Sequence, residues 1–248
     1  MDRSGQDWSG ETQWQTEEEF WAAVRDERWF SKGAEYWERV QADEDGVLGG
    51  FGHLNAQDVA YSKMFMELRV LPRLRAGGAL APKEELVAAD CGAGIGRVTR
   101  DLLLDYFSFV HVVEQDEHFS AKAAQDLQGK PVEIHTVGLQ DYSPQEESLD
   151  VVWCQWVLGH LPDAELTEFF RRCGSGLREN GVIVIKENIS TSTFFAFDSE
   201  DHSITRSDEY WKRCFEDADL ELLAESKQRD WPKGMLEVKL YMLAPKQG

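Results

Sequence analysis

From about residue 56 onward, short apolar runs alternate with longer stretches whose apolar residues recur every three or four positions. The runs at 86–90, 109–114, 132–137, 149–154, 181–186 and 236–243 are short and rich in β-branched side chains, which predicts buried strands. Helical spacing fills the intervals 58–74, 98–104, 117–127, 163–177 and 207–218, with Val59, Phe65, Met66 and Val70 on or near one face of the first. Apolar strands separated by helices of this length predict an α/β fold: a doubly wound parallel sheet covered by helices on both faces.

Ahead of this region the pattern changes. Residues 1–18 are polar and acidic and are expected to be mobile. TEEEFWAAVRDERWF (16–30) and GAEYWERV (33–40) read as two short amphipathic helices, the first with Thr16 as N-cap and Glu19 three residues on. DGVLGGFGH (45–53) packs four glycines into seven residues. It follows no strand and lacks the Lys-Ser/Thr pair of a phosphate loop, so it reads as a lid or a tight turn. The divisions are therefore an acidic tail and helix start (1–28), an N-terminal helix with a glycine-rich lid (29–55), and the main domain (56–248). At 248 residues this is one large domain with a terminal extension.

Charge narrows the class of partner. The formal net charge is −20, from 46 acidic and 26 basic residues, which argues against direct nucleic-acid binding and favours a cationic partner. A soluble acidic protein with no such partner is the plainer reading. No run of 18 apolar residues is present, so no membrane span is expected, and the acidic N-terminus resembles neither a secretory signal nor a transit peptide. The four cysteines form no CxxC pair and no His stands at zinc spacing, so neither a metal centre nor a disulfide is expected, and a reducing compartment fits.

The chemistry starts at Asp90-Cys91-Gly92-Ala93-Gly94-Ile95-Gly96-Arg97, which follows a strand and opens a helix. Glycines at the first strand-to-helix turn of a doubly wound sheet let the backbone approach a nucleotide-like ligand. The next strand ends in Glu114, placed to accept hydrogen bonds from ribose hydroxyls. NAD requires G-x-G-x-x-G/A, and here the third glycine falls one place early. Asp90 would also repel a pyrophosphate, whereas it suits the cationic methionine end of S-adenosylmethionine. Arg97 can fork onto a carboxylate there. The D-C-G-A-G-x-G string resembles motif I of the seven-stranded class I methyltransferases, a Rossmann-like fold.

Several separated strings sharpen that resemblance. LGGFGH (48–53), DCGAGIGRVTRDLLL (90–104), GLQDYSP (138–144), WCQWVLGHL (153–161) and GVIVIKEN (181–188) together resemble the protein alpha-N-terminal methyltransferases. The resemblance runs from about Trp29 to the C-terminus and is absent from residues 1–28. It implies methyl transfer from S-adenosylmethionine, with S-adenosylhomocysteine as product, to the α-amine of proteins starting X-Pro-Lys or X-Pro-Arg. One, two or three methyl groups could be added. The family also implies cytoplasmic or nuclear work on basic N-terminal tails, by a monomer or weak dimer.

Residue roles follow from the same resemblance. Leu139 and Gln140 would hold the adenine, and Gln155 would face the methionine end of the cofactor. Trp156, with Tyr36, Trp37 and Leu48, would wall the proline and the small first side chain. Asn188 would bond near the substrate N-terminus, and Asp198 and Asp201 would hold the cation at position three. One extra residue separates Asn188 from Asp198, and Met235-Leu236 replaces the family's Ile-Tyr. His160 is the expected catalytic base, since an α-amine titrates near 7.7–8 and an imidazole near 6.5; Asp201 is the expected second catalytic group. Two readings compete with this one: a small-molecule amine methyltransferase of the same fold, and a non-catalytic scaffold that binds partners through its acidic surface.

Overall fold

The structure, a computed structural model, describes residues 4–75, 85–190 and 194–246. Strands β1 (Gly5–Asp7) and β2 (Gln13–Trp14) precede helices α1 (Glu17–Val24), α2 (Trp29–Trp37) and α3 (Glu44–Val47). One helical rod then runs through α4 (Asn55–Phe65), a π-helical turn (Met66–Val70) and α5 (Leu71–Leu74). Strand β3 (Val87–Cys91) leads through the glycine turn into a π-helical turn (Thr99–Leu103) and α6 (Leu104–Tyr106). Next come β4 (Phe109–Glu114), α7 (Glu117–Asp126), β5 (Val132–Thr136), β6 (Leu149–Gln155), α8 (Asp163–Gly176) and β7 (Leu177–Ile189). The chain closes with β8 (Phe195–Asp198), β9 (Ser203–Thr205), α9 (Asp208–Asp217), β10 (Leu220–Lys227) and β11 (Glu237–Pro245).

Seven strands form the main sheet in the order β10-β11-β7-β6-β3-β4-β5. Strand β6 shows why it is central. Val151 and Trp153 join the core on one face, Val152 and Cys154 the core on the other, and all four are fully buried. Burying such a side chain contributes about 1.5–3 kcal/mol, and period-two alternation sends neighbours to opposite faces. Phe65, Met66, Val70 and Leu102 cover one face, and Phe20, Phe169, Phe170 and Phe215 the other. The chain runs outward from β3 through β4 to β5, then returns to β6 on the other side of β3. That reversal opens a crevice at the carboxyl ends of β3 and β6.

The expected doubly wound sheet is present, with one correction. It is mixed, because β11 runs antiparallel to both β7 and β10. An apolar run carries no direction, and antiparallel neighbours need only a short connection, so a β10–β11 pair reads in sequence like any other strand.

A second correction concerns the N-terminus. Residues 4–18 are not a mobile tail: β1 pairs with β2 and lies parallel to β8, giving a four-stranded sheet β2-β1-β8-β9. Trp14 and Phe20 seal it, with ring centroids 5.0 Å apart and Phe20 4.8 Å from Phe195. The partner strand lies about 190 residues away in the chain, so local polarity gives no hint of it. The expected cap of α1 is present: Glu19 N donates to Thr16 Oγ1 at 3.0 Å, and Gln15 N donates to Glu19 Oε2 at 2.7 Å.

Candidate active site

The glycine turn after β3 is built for a close approach. Gly92 has φ +73° and Gly94 φ +56°, both in the left-handed region that glycine enters without penalty. A Cβ on Gly92 would stand 2.3 Å from Cγ2 of Val157, which follows β6, so the two walls of the crevice meet there. Gly92→Ala is therefore expected to reduce ligand affinity in the crevice about tenfold or more, since backbone strain alone costs about 1–3 kcal/mol; calorimetric titration with S-adenosylhomocysteine checks this.

Glu114 at the end of β4 lines the same cavity, buried, and accepts N–H from Gly94 (2.8 Å) and Asp116 (2.9 Å). Burial raises its pKa despite those two donors, and each oxygen keeps a lone pair for a hydroxyl. Leu139 and Gln140 line the wall after β5. That wall is stapled by a residue with no sequence signature: Arg172 of α8 donates to the carbonyls of Leu139 (2.9 Å), Gln140 (3.0 Å) and Tyr142 (2.8 Å).

Asp90 has a structural task that the sequence does not suggest. Its Oδ2 accepts both the N–H (2.9 Å) and the hydroxyl (2.7 Å) of Thr99, and burial pushes its pKa up to about 6. One oxygen of the carboxyl group thus holds the first turn of the following helix, and the residue still lines the cavity.

Between two cavities lies a buried charge cluster that the sequence does not announce: Arg97 and Gln155 line the first cavity, and Asp58 lines a second one. Asp58 of α4 is 1 % exposed and stands on a face otherwise lined by Tyr61 and Phe65. It accepts from Arg97 Nη1 (2.7 Å), from Gln155 Nε2 (2.9 and 3.0 Å) and from Lys186 Nζ. Lys186 also donates to Ser62 Oγ at 2.9 Å, and Arg97 Nη1 to Asn55 Oδ1 at 2.8 Å. Burial lowers the pKa of Lys186 to about 8, so the ammonium stays charged at neutral pH. Burial also opposes ionisation of Asp58, but Lys186 and Arg97 outweigh it and hold that carboxyl below its ordinary value. The cluster thus carries one net positive charge.

Gln155 lines the cavity, but its amide donates to Asp58 and its carbonyl accepts Trp153 Nε1–H at 3.2 Å. Both contacts to Asp58 run from one nitrogen to one carboxylate, so a single N–H serves Asp58 and the other is left for a ligand. Among the described residues, Arg97 Nε and Nη2 have no hydrogen-bond partner, which leaves both able to donate to a carboxylate. A glycine cradle, a carboxylate with lone pairs to spare, a wall formed by Leu139 and Gln140, and a guanidinium fit a nucleoside linked to an amino acid.

A second cavity of about 460 Å³ adjoins the first. The two share Trp37, Val47, Trp156 and His160. Trp156 adopts φ +54°, a strained conformation for a bulky residue. The turn is held because Glu187 Oε1 accepts the N–H groups of Val157 and Leu158, each at 2.9 Å, while Trp156 N donates to the carbonyl of Lys186 at 3.0 Å. Burial pushes the Glu187 pKa up to about 7 against the pull of those donors.

His160 sits where the cavities meet. Its Nε2 accepts the indole N–H of Trp37 at 3.0 Å, and its Nδ1 lies 3.3 Å from the carbonyl of His202. An indole only donates, so Nε2 carries a lone pair and Nδ1 the proton. Burial lowers the pKa of His160, with Asp201 pulling the other way. Asp201 lines the second cavity, and its buried Oδ1 has no hydrogen-bond partner among the described residues. A buried carboxylate oxygen without a partner is costly unless something polar or cationic arrives.

Leu48, Asn188, Met235 and Leu236 also line this cavity. Two of the expected residues do not. Tyr36 lines neither cavity and packs edge-on to Trp37 at 5.3 Å, while Asp198 Oδ1 accepts Glu200 N at 2.8 Å in the β8–β9 turn. The charge of Asp198 favours the ionised form of His160, though less than that of Asp201. The extra residue between Asn188 and Asp198 falls in a segment that includes 191–193, outside the described residues.

Trp231, in the loop before β11, was not expected. Its ring faces Trp156 at 6.3 Å, and the indole N–H groups of both are buried without a partner among the described residues. A lone Trp in a polar loop carries no spacing signal.

Residues 25–244 match the model of a family described as AdoMet-dependent proline di-methyltransferase. Alpha N-terminal protein methyltransferase 1 of Oryza sativa subsp. japonica is 42% identical over 236 residues, covering 92% of this chain and 75% of the relative. N-terminal Xaa-Pro-Lys N-methyltransferase 1 of Rattus norvegicus is 42% identical over 226 residues, covering 89% and 97%. Among solved structures, an S-adenosylmethionine-dependent methyltransferase of Leishmania major superimposes with TM-score 0.88 at 32% identity, covering 98% of this chain and 96% of that one.

Proposed function

The chain belongs to the AdoMet-dependent proline di-methyltransferase family, and from that premise we propose that its substrates are protein N-termini of the form X-Pro-Lys or X-Pro-Arg. The fold is that of a class I methyltransferase, the enzyme uses S-adenosylmethionine, and the reaction is methylation of protein N-termini. The finer substrate reading rests on one observation: the cofactor-shaped cavity meets an acidic, tryptophan-walled cavity at His160. When bound, S-adenosylmethionine supplies an electrophilic methyl group on a sulfonium.

The residues of this chain do the rest. Gly92, Gly94, Glu114, Leu139, Gln140 and Arg97 hold the nucleoside and the amino-acid end. Trp156 and Trp231 wall a proline ring, and their free indole N–H groups suit the peptide carbonyls beside it. Asp201 receives a cationic group of the substrate, with Asn188 next to it on the cavity wall. His160 Nε2 takes a proton from the α-ammonium so that a lone pair is available. In the resting structure Trp37 occupies that nitrogen, so peptide entry has to break the Trp37–His160 bond. The −20 net charge assists the approach of a basic tail. The four cysteines are free and buried, in keeping with a cytoplasmic or nuclear location, which we include in the proposal.

The test is direct. A peptide starting Ser-Pro-Lys should gain methyl mass with S-adenosylmethionine, and its N-acetylated form should not. Methylation of an internal Lys in the blocked peptide, or preference for a free amine metabolite, would sink the reading. Trp231→Phe keeps the ring and removes the N–H. It should raise the peptide KM about three- to tenfold, the worth of one neutral hydrogen bond, with kcat little changed; steady-state kinetics on the same peptide decides.

A further inference from the structure

Three side chains on the main sheet, away from both cavities, have no part in methyl transfer. His111 on β4 and Glu133 on β5 are direct cross-strand partners. His135 lies two residues beyond Glu133, so strand periodicity puts all three on one face. Nδ1 of His111 is 2.9 Å from Nε2 of His135. Oε2 of Glu133 is 3.4 Å from the first nitrogen and 3.7 Å from the second. A tetrahedral zinc ion with bonds of about 2.0–2.2 Å spaces its ligand atoms about 3.3–3.6 Å apart. The triangle is close to that size before any ion arrives.

The donor set points the same way. Two imidazoles and one carboxylate are the ligands of open zinc sites, where water takes the fourth position. Imidazole-rich sites also accept nickel and copper. We propose that His111, Glu133 and His135 bind a divalent transition-metal ion.

A hydrogen bond between the two rings is the competing account. It explains the short nitrogen–nitrogen distance but leaves Glu133 unexplained. That side chain is 57% exposed and free to turn toward water, yet one of its oxygens stays within ion-pair reach of both nitrogens. An ion between them displaces the shared proton and uses all three donors together.

The placement gives the ion a consequence. It would pin the edge strand β5 to β4, and β5 runs directly into Leu139 and Gln140 of the cofactor wall. The ring of His135 also lies 6.0 Å from that of Tyr142, whose carbonyl Arg172 holds. Ion binding should therefore stiffen the wall and raise the melting temperature.

The experiment uses the full chain without an affinity tag, stripped with chelator and titrated with zinc chloride by calorimetry. One ion per chain should bind and raise the melting temperature. Cobalt(II) should give the intense visible bands of a four-coordinate site. His111→Gln and His135→Gln should abolish both effects, and Glu133→Gln should weaken binding at least tenfold, the low end for losing a metal-site partner. Metal-free melting curves matching the parent would show that the variants fold. Absence of binding by the parent overturns the proposal, as does equal binding by His135→Gln, which would assign the ion to other histidines. Should the histidine variants fail to fold, unchanged affinity in Glu133→Gln overturns it equally.

Discussion

Asp58→Ala should destabilise the protein by about 3–5 kcal/mol, because it leaves a buried lysine and a buried arginine with no anion between them. Asp58 is the anion that both Lys186 and Arg97 contact, and the side chains of both cations are buried. For a domain of this size the loss corresponds to a fall of roughly 6–20 °C in Tm. Affinity for S-adenosylhomocysteine should fall with it, since Asp58 also orients Gln155 and Arg97 at the cavity floor. Lys186→Met should cost less, because Asp58 keeps two of its three partners. Thermal melting of both variants decides, and an Asp58→Ala protein melting within 2 °C of the parent (well under the loss expected for a broken buried pair) would show that the cluster contributes little.

The acid side of the stability curve should report the same residue. The folded-state pKa of Asp58 lies below its unfolded value, as Lys186 and Arg97 outweigh its burial. A group with a depressed folded pKa contributes stability that is fully present above its unfolded pKa, near 3.9, and is lost as pH falls through the lower folded value. The parent should therefore lose stability more steeply than Lys186→Met below about pH 4.

His160→Ala should lower kcat by about 10²–10⁴, the usual contribution of a positioned general base. Cofactor affinity should stay nearly constant, because the backbone carbonyl of His160, which accepts Trp29 Nε1–H at 2.7 Å, survives the change. Burial is the main cause of the lowered His160 pKa, so the base remains neutral somewhat below the ordinary imidazole range. The acidic limb of the kcat/KM profile, which reports the free enzyme, should accordingly lie below pH 6.5, the ordinary imidazole value. Trp37→Phe removes a donor that stabilises the neutral ring, so it should move that limb to higher pH. A limb that stays in place in Trp37→Phe, or a His160→Ala enzyme with parental kcat, would remove His160 as the base.

Much of this site was readable one residue at a time. Gly92, Gly94 and Glu114 announce themselves because a strand, a glycine turn and a terminal acid are contiguous in sequence, and local backbone geometry alone requires them. Trp156 and His160 stand within one strand-to-helix connection, where the carboxyl end of β6 borders the crevice. Asp58, Lys186, Glu187, Arg172 and Trp231 gave no comparable signal. Each sits in a segment whose pattern is already satisfied by a helix, a strand or a loop, and each acts through partners 30 to 130 residues away. Asp90 and Gln155 were placed at the right cavity, but their bonds to Thr99 and to Asp58 were not foreseen, because sequence cannot show which hydrogen-bond partner a buried polar group has already taken.

By itself the sequence determined the layered α/β fold, the glycine turn with the acid that ends the next strand, and the family with its methyl donor. Those properties depend on periodicity and on short contiguous motifs, which are local. Only the tertiary structure decided the direction of β11, the folding of residues 4–24 onto β8, the single positive charge gathered around Asp58, and the tautomer of His160. These depend on contacts between distant segments, where burial makes an unpaired charge or donor costly and therefore selects one arrangement from the several that the sequence permits.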